Sequence, residues 1–164
     1  RADGEHPRPV VLDSRLRFPT EARMLHTDGP PPLIATHADA PDHKAHALED
    51  AGATVLRLPC TPTGVCFDAL LDALADCDIR SLMVEGGAQV ITSLLRQQRA
   101  DHLILTVAPM FVGGLSALGT TNGTPTAVGD GTTFPELANI HYRWLGKDLV
   151  LHGDPVWPEE TSSA

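Results

Sequence analysis

The chain has 164 residues, 42% of them hydrophobic, and a formal net charge of −9 with histidine neutral. That is enough apolar matter for one packed domain and too much for a disordered tail. The acidic balance speaks against a sequence-independent nucleic-acid surface, no apolar run approaches the ~18 residues of a membrane span, and the start does not read as a signal peptide.

The first nine residues form a polar, proline-containing loop without an initiator Met, as if the chain began inside a longer element. Short apolar runs then read as buried strands. In order they are Pro9–Asp13, Leu33–Thr36, Thr54–Leu58, Ser81–Glu85, His102–Ala108 and Asp148–Gly153. Helical patterns sit between them. His43–Ala51 is rich in alanine and charge and stops at Gly52, a residue suited to a left-handed cap. Phe67, Leu70, Leu71 and Leu74 follow i, i+3, i+4, i+7 spacing and predict a helix over Phe67–Asp76. Val90, Ile91, Leu94 and Leu95 form a second stripe on a helix from about Ala88 to Gln98. Alternating strands and helices predict an α/β fold, a mostly parallel sheet covered on both faces. Trp144 and Gly146-Lys147 ahead of Asp148–Gly153 predict a closing antiparallel hairpin. Residues 116–133 read as a long Gly/Thr-rich surface loop. Residues 1–153 make the domain, and 154–164 a polar tail that contains Trp157.

Three cysteines, Cys60, Cys66 and Cys77, form no CxxC pair. A disulfide framework or structural zinc is therefore not expected, and a reducing, cytoplasmic setting is. The eight histidines show no clustering along the sequence, no metal site is expected, and nothing resembles a hydrolase elbow. Three strand ends carry possible chemistry. In Leu82-Met83-Val84-Glu85-Gly86-Gly87-Ala88, a strand enters, two glycines turn and a helix leaves. Glycines allow positive φ and close ligand approach, and a helix start favours phosphate; a tight turn with no ligand is the plainer alternative. Glu85, at the C-terminal end of a parallel strand, stands where open α/β sheets bind ligands. Asp13-Ser14-Arg15-Leu16-Arg17 offers a hydroxyl and two guanidinium groups for a phosphate, or is simply a solvated basic loop. Ala108-Pro109-Met110-Phe111-Val112-Gly113-Gly114 repeats the strand–glycine pattern.

Taken in order, PRPVVLDSRLRFP, GATVLRLP, SLMVEGGAQVITSLL and DHLILTVAPMFVGG resemble the reductase domain of riboflavin biosynthesis. That family comprises the C-terminal domain of the bifunctional deaminase–reductase and the stand-alone pyrimidine reductase of fungi and archaea. The resemblance spans roughly Pro7 to Gly153. It implies a dihydrofolate-reductase-like fold, NADPH as cofactor and a homodimer. It implies reduction of a 5-amino-6-ribosylamino-pyrimidine 5′-phosphate to the ribitylamino compound, with hydride delivered to C1′ of an opened imine. By the same resemblance Glu85 contacts the substrate pyrimidine, and Gly86, Gly87, Ala88, Gln89 and Val90 lie against the NADPH pyrophosphate. Ser14 matches a contact near the adenosine end, Arg17 a partner for the 2′-phosphate, and Gly113 and Gly114 a turn near the cofactor. No general acid is evident. Relatives of this kind carry a further N-terminal region, with a Ser-Leu-Asp-Gly-like strand and a Thr/Asp pair, that this sequence does not contain. That departure leaves a catalytically weak, reductase-like binding or oligomerisation module as the alternative. The zinc signature of a deaminase is absent from the sequence. The phrase Trp144-Leu145-Gly146-Lys147-Asp148 leans toward the fungal, diamino substrate.

Overall fold

A computed structural model describes residues 6–61, 64–111, 120–121, 124–125 and 135–157. The chain divides into two compact units, Arg1–Leu82 and Met83–Ala164.

The first unit is built on a parallel sheet of β1 (Val10–Leu12), β2 (Leu33–His37) and β3 (Thr54–Leu58), in the order β1-β2-β3. The central strand is apolar on both faces: Leu33, Ile34 and Ala35 are all fully buried. Such a strand needs cover on both sides. One face is closed by α1 (Asp42–Asp50), whose inward residues Ala45 and Leu48 join Ile34, Leu16, Ala40 and Ala53 in one core cluster. Gly52 ends this helix at φ +100°, the left-handed cap its position predicts. Helix α2 covers Phe67–Asp76, the range the stripe predicts, and buries Phe67, Leu70 and Leu74. A 3₁₀ turn (Arg23–His26) and a two-residue hairpin of β4 (Cys60–Thr61) and β5 (Gly64–Val65) complete the unit; periodicity could not announce elements this short. Arg57 ties β3 to the loop after β2. Its Nη1 donates to the carbonyls of Ala38 (2.8 Å) and Ala40 (2.7 Å), and its Nη2 to Asp42 Oδ1 at 2.6 Å.

The second unit holds α3 (Ala88–Arg96), β6 (Leu103–Val107), a two-residue pair of β7 (Thr120–Thr121) and β8 (Thr124–Pro125), and the long hairpin of β9 (Glu136–Leu145) and β10 (Asp148–Val156). The hairpin is antiparallel, as expected, and turns at Gly146 with φ +63°. β6 pairs with the other side of β10, also antiparallel, so parallel pairing among the described residues is confined to β1–β3. The register slips between His152 and Asp154. At that bulge a Cβ on Gly153 would sit 2.6 Å from the carbonyl oxygen of Ala138, which restricts the site to glycine. Trp157 Nε1 donates to the carbonyl of Leu95 at 3.2 Å and fastens the end of β10 to α3. Pairing aligns Val107, Leu149 and Trp144 in one cross-strand row and Leu105, Leu151 and Tyr142 in the next. Both rows stand on the same side of the sheet. Tyr142 and Trp144 are 64% and 69% exposed, and Leu105 and Val107 are exposed as well.

The run Ser81–Glu85 departs from its expected strand. It forms no ladder with any described strand, its Met83 is 73% exposed, and the division between the two units falls inside it. An apolar run becomes a strand only when a neighbour accepts its backbone hydrogen bonds, and that condition is not written in the run itself.

Because Leu48 is nearly all buried where α1 meets the sheet, Leu48→Ala should lower the unfolding free energy by about 2–5 kcal/mol. Urea denaturation followed by circular dichroism measures it; a loss within the scatter of a surface mutation would contradict this account of the core.

Candidate functional site

Helix α3 starts at the glycine pair. Gly87 is the N-cap, in extended conformation, and its carbonyl accepts the amides of Val90 (3.0 Å) and Ile91 (3.2 Å). Thr92, Leu94 and Leu95 are buried, and Val90 and Ile91 are half-buried, so the expected stripe does anchor the helix. With no capping side chain at Gly87, the amides of Ala88 and Gln89 have no helical acceptor and point out of the helix start. That end of the helix also carries the positive pole of its dipole. Glu85 lies just ahead, with its carboxylate exposed.

The two glycines have different roles. Neither adopts positive φ; among described glycines only Gly52 and Gly146 do. Gly86 is required by space. A Cβ there would lie 2.8 Å from Val90 Cβ and 2.9 Å from its Cγ1. At Gly87 no atom of the described residues lies within 4 Å of such a Cβ. The pair is thus a close-packed helix entry followed by an open position, and both backbones are of the kind any residue can adopt.

Ser14 and Arg17 lie in the other unit, in the loop after β1. Ser14 is half-buried, and the side chain of Arg17 is 78% exposed. The organiser of this loop is Asp13, which sequence reading treated only as part of a basic stretch. Its carboxylate is 8% exposed and accepts the backbone amides of Arg15 at 3.3 Å, of Arg17, and of Phe18 at 2.7 Å. An Asp whose following residues turn back on it is a recognisable local signal. Two further polar atoms at the end of β2, Thr36 Oγ1 and His37 Nε2, are buried without a hydrogen-bond partner among the described residues. The structure thus keeps Glu85–Val90 together as one segment and Ser14–Arg17 together as another. Gly113 and Gly114 lie outside the described residues.

Three histidines that looked scattered along the sequence do come together in the second unit. His102 Nδ1 lies 2.8 Å from Asp154 Oδ1, and His102 Nε2 lies 3.1 Å from His152 Nδ1. His141 stacks on His152 with ring centroids 5.2 Å apart. The β9–β10 register sets His141 opposite His152. These rings bond and stack with one another rather than converge on a point. Among the described residues no set of three or more His, Cys, Asp or Glu is placed to hold a metal ion, and no helix is long and apolar enough to cross a membrane.

With this geometry in hand, likenesses to known proteins can be placed on it. Residues 1–151 match the family described as the RibD C-terminal domain. The chain is 34% identical over 161 residues to the 2,5-diamino-6-ribosylamino-4(3H)-pyrimidinone 5′-phosphate reductase of Aquifex aeolicus, covering 94% of this chain and 67% of that one. It is 36% identical over 114 residues to the protein of the same name in Archaeoglobus fulgidus, covering 68% and 50%. Among solved structures it resembles the riboflavin biosynthesis reductase Rib7 of Saccharomyces cerevisiae, with a TM-score of 0.66 and 25% identity over 92% of this chain and 70% of that one. Acinetobacter baumannii RibD shares the fold with a TM-score of 0.67 at 22% identity, over 92% of this chain and 38% of that one. The chain therefore spans 67% of the length of one sequence relative and half of the other.

Two outcomes follow from the local geometry. Gly86→Ala should disturb the first turn of α3, because its methyl meets the branch point of Val90 and helix starts tolerate such crowding poorly; Gly87→Ala should not. Amide hydrogen exchange across residues 86–92 compares them, and equal protection in both variants would rule out the steric account. Separately, Asn139 Nδ2, and after it His102, hold the Asp154 carboxyl below the ordinary carboxylate range. A depressed carboxyl adds stability above its unfolded pKa of about 3.9 and loses it as pH falls through the lower folded value. The ends of β9 and β10 should then open to exchange below about pH 4. Asp154→Asn should flatten that dependence, and an unchanged acid profile in this variant would assign the effect elsewhere.

Proposed function

The chain belongs to the RibD C-terminal domain family, and from that premise we propose that it is an NADPH-dependent reductase of riboflavin biosynthesis. The substrate is a 5-amino-6-ribosylamino-pyrimidinone 5′-phosphate, in its diamino or deaminated form, and the product is the ribitylamino compound. The observation that carries this reading is a family match over residues 1–151, together with relatives named for this reaction at 34% and 36% identity. Within that match lies a helix start of the kind that accepts a phosphate. Each unit, taken by itself, offers groups that part of a dinucleotide can use. The outward amides at the start of α3 and the open position at Gly87 suit its pyrophosphate, and a hydroxyl and a guanidinium at Ser14 and Arg17 suit its phosphate-bearing adenosine end. When bound, the nicotinamide supplies the hydride.

The chain's own residues bind and orient. Gly86, Gly87, Ala88, Gln89 and Val90 form the pyrophosphate segment. Glu85 is the substrate residue: an exposed carboxylate accepts the amino and amide N–H groups that a pyrimidinone presents. Gly113 and Gly114 are assigned to the cofactor side by resemblance alone. The protein works in the cytoplasm as a homodimer. Support for the dimer is the exposed apolar face of the β6-β10-β9 sheet, with Leu105, Val107, Tyr142 and Trp144 in two adjoining rows, an arrangement that favours burial against another surface. A binding module without catalysis is the competing reading.

Mixing the chain with NADPH and the phosphoribosylamino-pyrimidinone, and following loss of nicotinamide absorbance, tests the assignment. Substrate-dependent oxidation is expected; absence of both turnover and an NADPH-induced thermal shift would sink it. Glu85→Gln should raise the substrate KM or lower kcat roughly 10-fold or more, the size expected when a charge-assisted hydrogen bond is lost. Its NADPH affinity should stay near that of the unmodified protein, and parallel loss of both ligands would refute the division of roles.

A further inference from the structure

Asp13 is a carboxylate buried at the C-terminal end of β1, in a place where an unpaired charge would be costly. It is anchored first through its own backbone. Its amide donates to the Ala35 carbonyl at 2.9 Å, next to the last β1–β2 pair, and its carbonyl accepts the Leu16 amide at 3.2 Å. Its side chain then collects the amides of Arg15, Arg17 and Phe18. Leu16, between them, takes a left-handed φ of 49° and is itself buried in the core. A non-glycine residue holds that conformation only when its surroundings impose it. Here they do so from two sides, the core and the carboxylate.

Successive amides aimed at one point make an anion nest. In this loop the nest is already filled by an anion of the chain itself. For an anionic ligand reaching this strand end, the amides of residues 15–18 are therefore already taken, and side chains are what it meets there. Those side chains are Ser14, half-buried, and Arg15 and Arg17, both exposed. Arg17 is not consumed by Asp13: its Nε stands 4.0 Å from Oδ1, at the limit of an ion pair, with the side chain 78% exposed.

We propose that Asp13 is a positioning residue for dinucleotide binding. Its buried carboxylate fixes the backbone of residues 14–18, so that Ser14 and Arg17 offer their side chains to the phosphate-bearing adenosine end while Asp13 touches no ligand. This rests on the reductase reading above and adds to it the group that sets the geometry of its adenosine-side contacts. The same filled nest separates two ways of holding phosphate in one protein: side chains at residues 14–17, and outward backbone amides at the start of α3.

The test begins with the unmodified chain and NADPH, whose fluorescence reports binding. Failure to bind NADPH at all is failure of the reductase reading, seen before any variant is made, and it removes the positioning role with it. Given binding, amide exchange is measured with and without NADPH. The amides of Arg15, Arg17 and Phe18 should be protected beforehand and gain no more on addition than the general increase that ligand stabilisation gives the rest of the unit. If they exchange freely and become protected only with NADPH, the backbone itself holds the ligand and the proposal is overturned; this readout needs no variant to fold. Asp13→Asn should then weaken NADPH binding about tenfold, within the range of coupling between contacting residues. In an Arg17→Ala background the same change should cost far less, because the side chain it positions is gone. Unchanged affinity for Asp13→Asn, or effects that simply multiply in the double variant, would overturn the positioning role.

Discussion

The first unit depends on one constraint: β2 must be kept dry on both faces. Leu33, Ile34, Ala35 and Thr36 are all fully buried, so the strand needs a neighbour on each edge and cover above and below. β1 and β3 satisfy its backbone. The α1 residues Ala45 and Leu48 cover the Ile34 side. What remains is the C-terminal rim, where chain leaves the sheet and polar groups must be satisfied one by one. Arg57 does this for the loop after β2, with two carbonyls and a carboxylate. Asp13 does it for the loop after β1, with three amides. The two solutions are mirror images in charge: a partly exposed guanidinium gathers carbonyls and a buried carboxylate gathers amides. Both are charge-assisted sets, and at the buried Asp13 a missing partner would be expensive.

Much of this was legible from sequence wherever the signal is local. The spacing of Phe67, Leu70 and Leu74 is a property of ten consecutive residues, and α2 has the ends it predicts. Gly52 marks a cap because left-handed backbone is costly for any other residue, and it sits at φ +100°. What was not legible is pairing. Ser81–Glu85 has the composition of a strand and no ladder neighbour among the described residues. The His102, His141, His152 and Asp154 group is distributed over positions 102–154 and is assembled only by the β6–β10–β9 register with its slip at Gly153. A one-residue change of register would turn those rings to the other face. No count of histidines along the chain could have shown it.

The glycine pair shows a different kind of limit. Sequence reading gives both glycines the same two reasons, positive φ and close ligand approach, and the structure uses positive φ at neither. Gly86 is small because Val90 occupies the space where its side chain would go. Gly87 is a cap with room around it. Two identical letters therefore report two constraints, packing toward the helix and access away from it. For a segment read as a phosphate site that asymmetry is informative. The close contact sets the angle at which the chain enters α3, and hence where the first-turn amides point. The open position leaves the approach to them unobstructed by the protein's own side chain. Orientation and access are separable requirements, and adjacent residues meet them separately.

The same separation recurs at Asp13. A loop can hold a phosphate with its amides or with its side chains, and each choice has a cost. Amides are rigid acceptor-seeking groups whose number is set by the backbone; side chains reach further but lose rotamer freedom when they bind. By spending three amides on its own carboxylate, the loop after β1 gives up the first option and reduces the cost of the second, because the backbone beneath Ser14 and Arg17 is already ordered. Preordering of this kind raises affinity without adding a contact. It also makes recognition at that end depend on side-chain identity, which substitution can alter one residue at a time. At α3 recognition depends on helix geometry, which single side chains change little unless they intrude, as one would at Gly86.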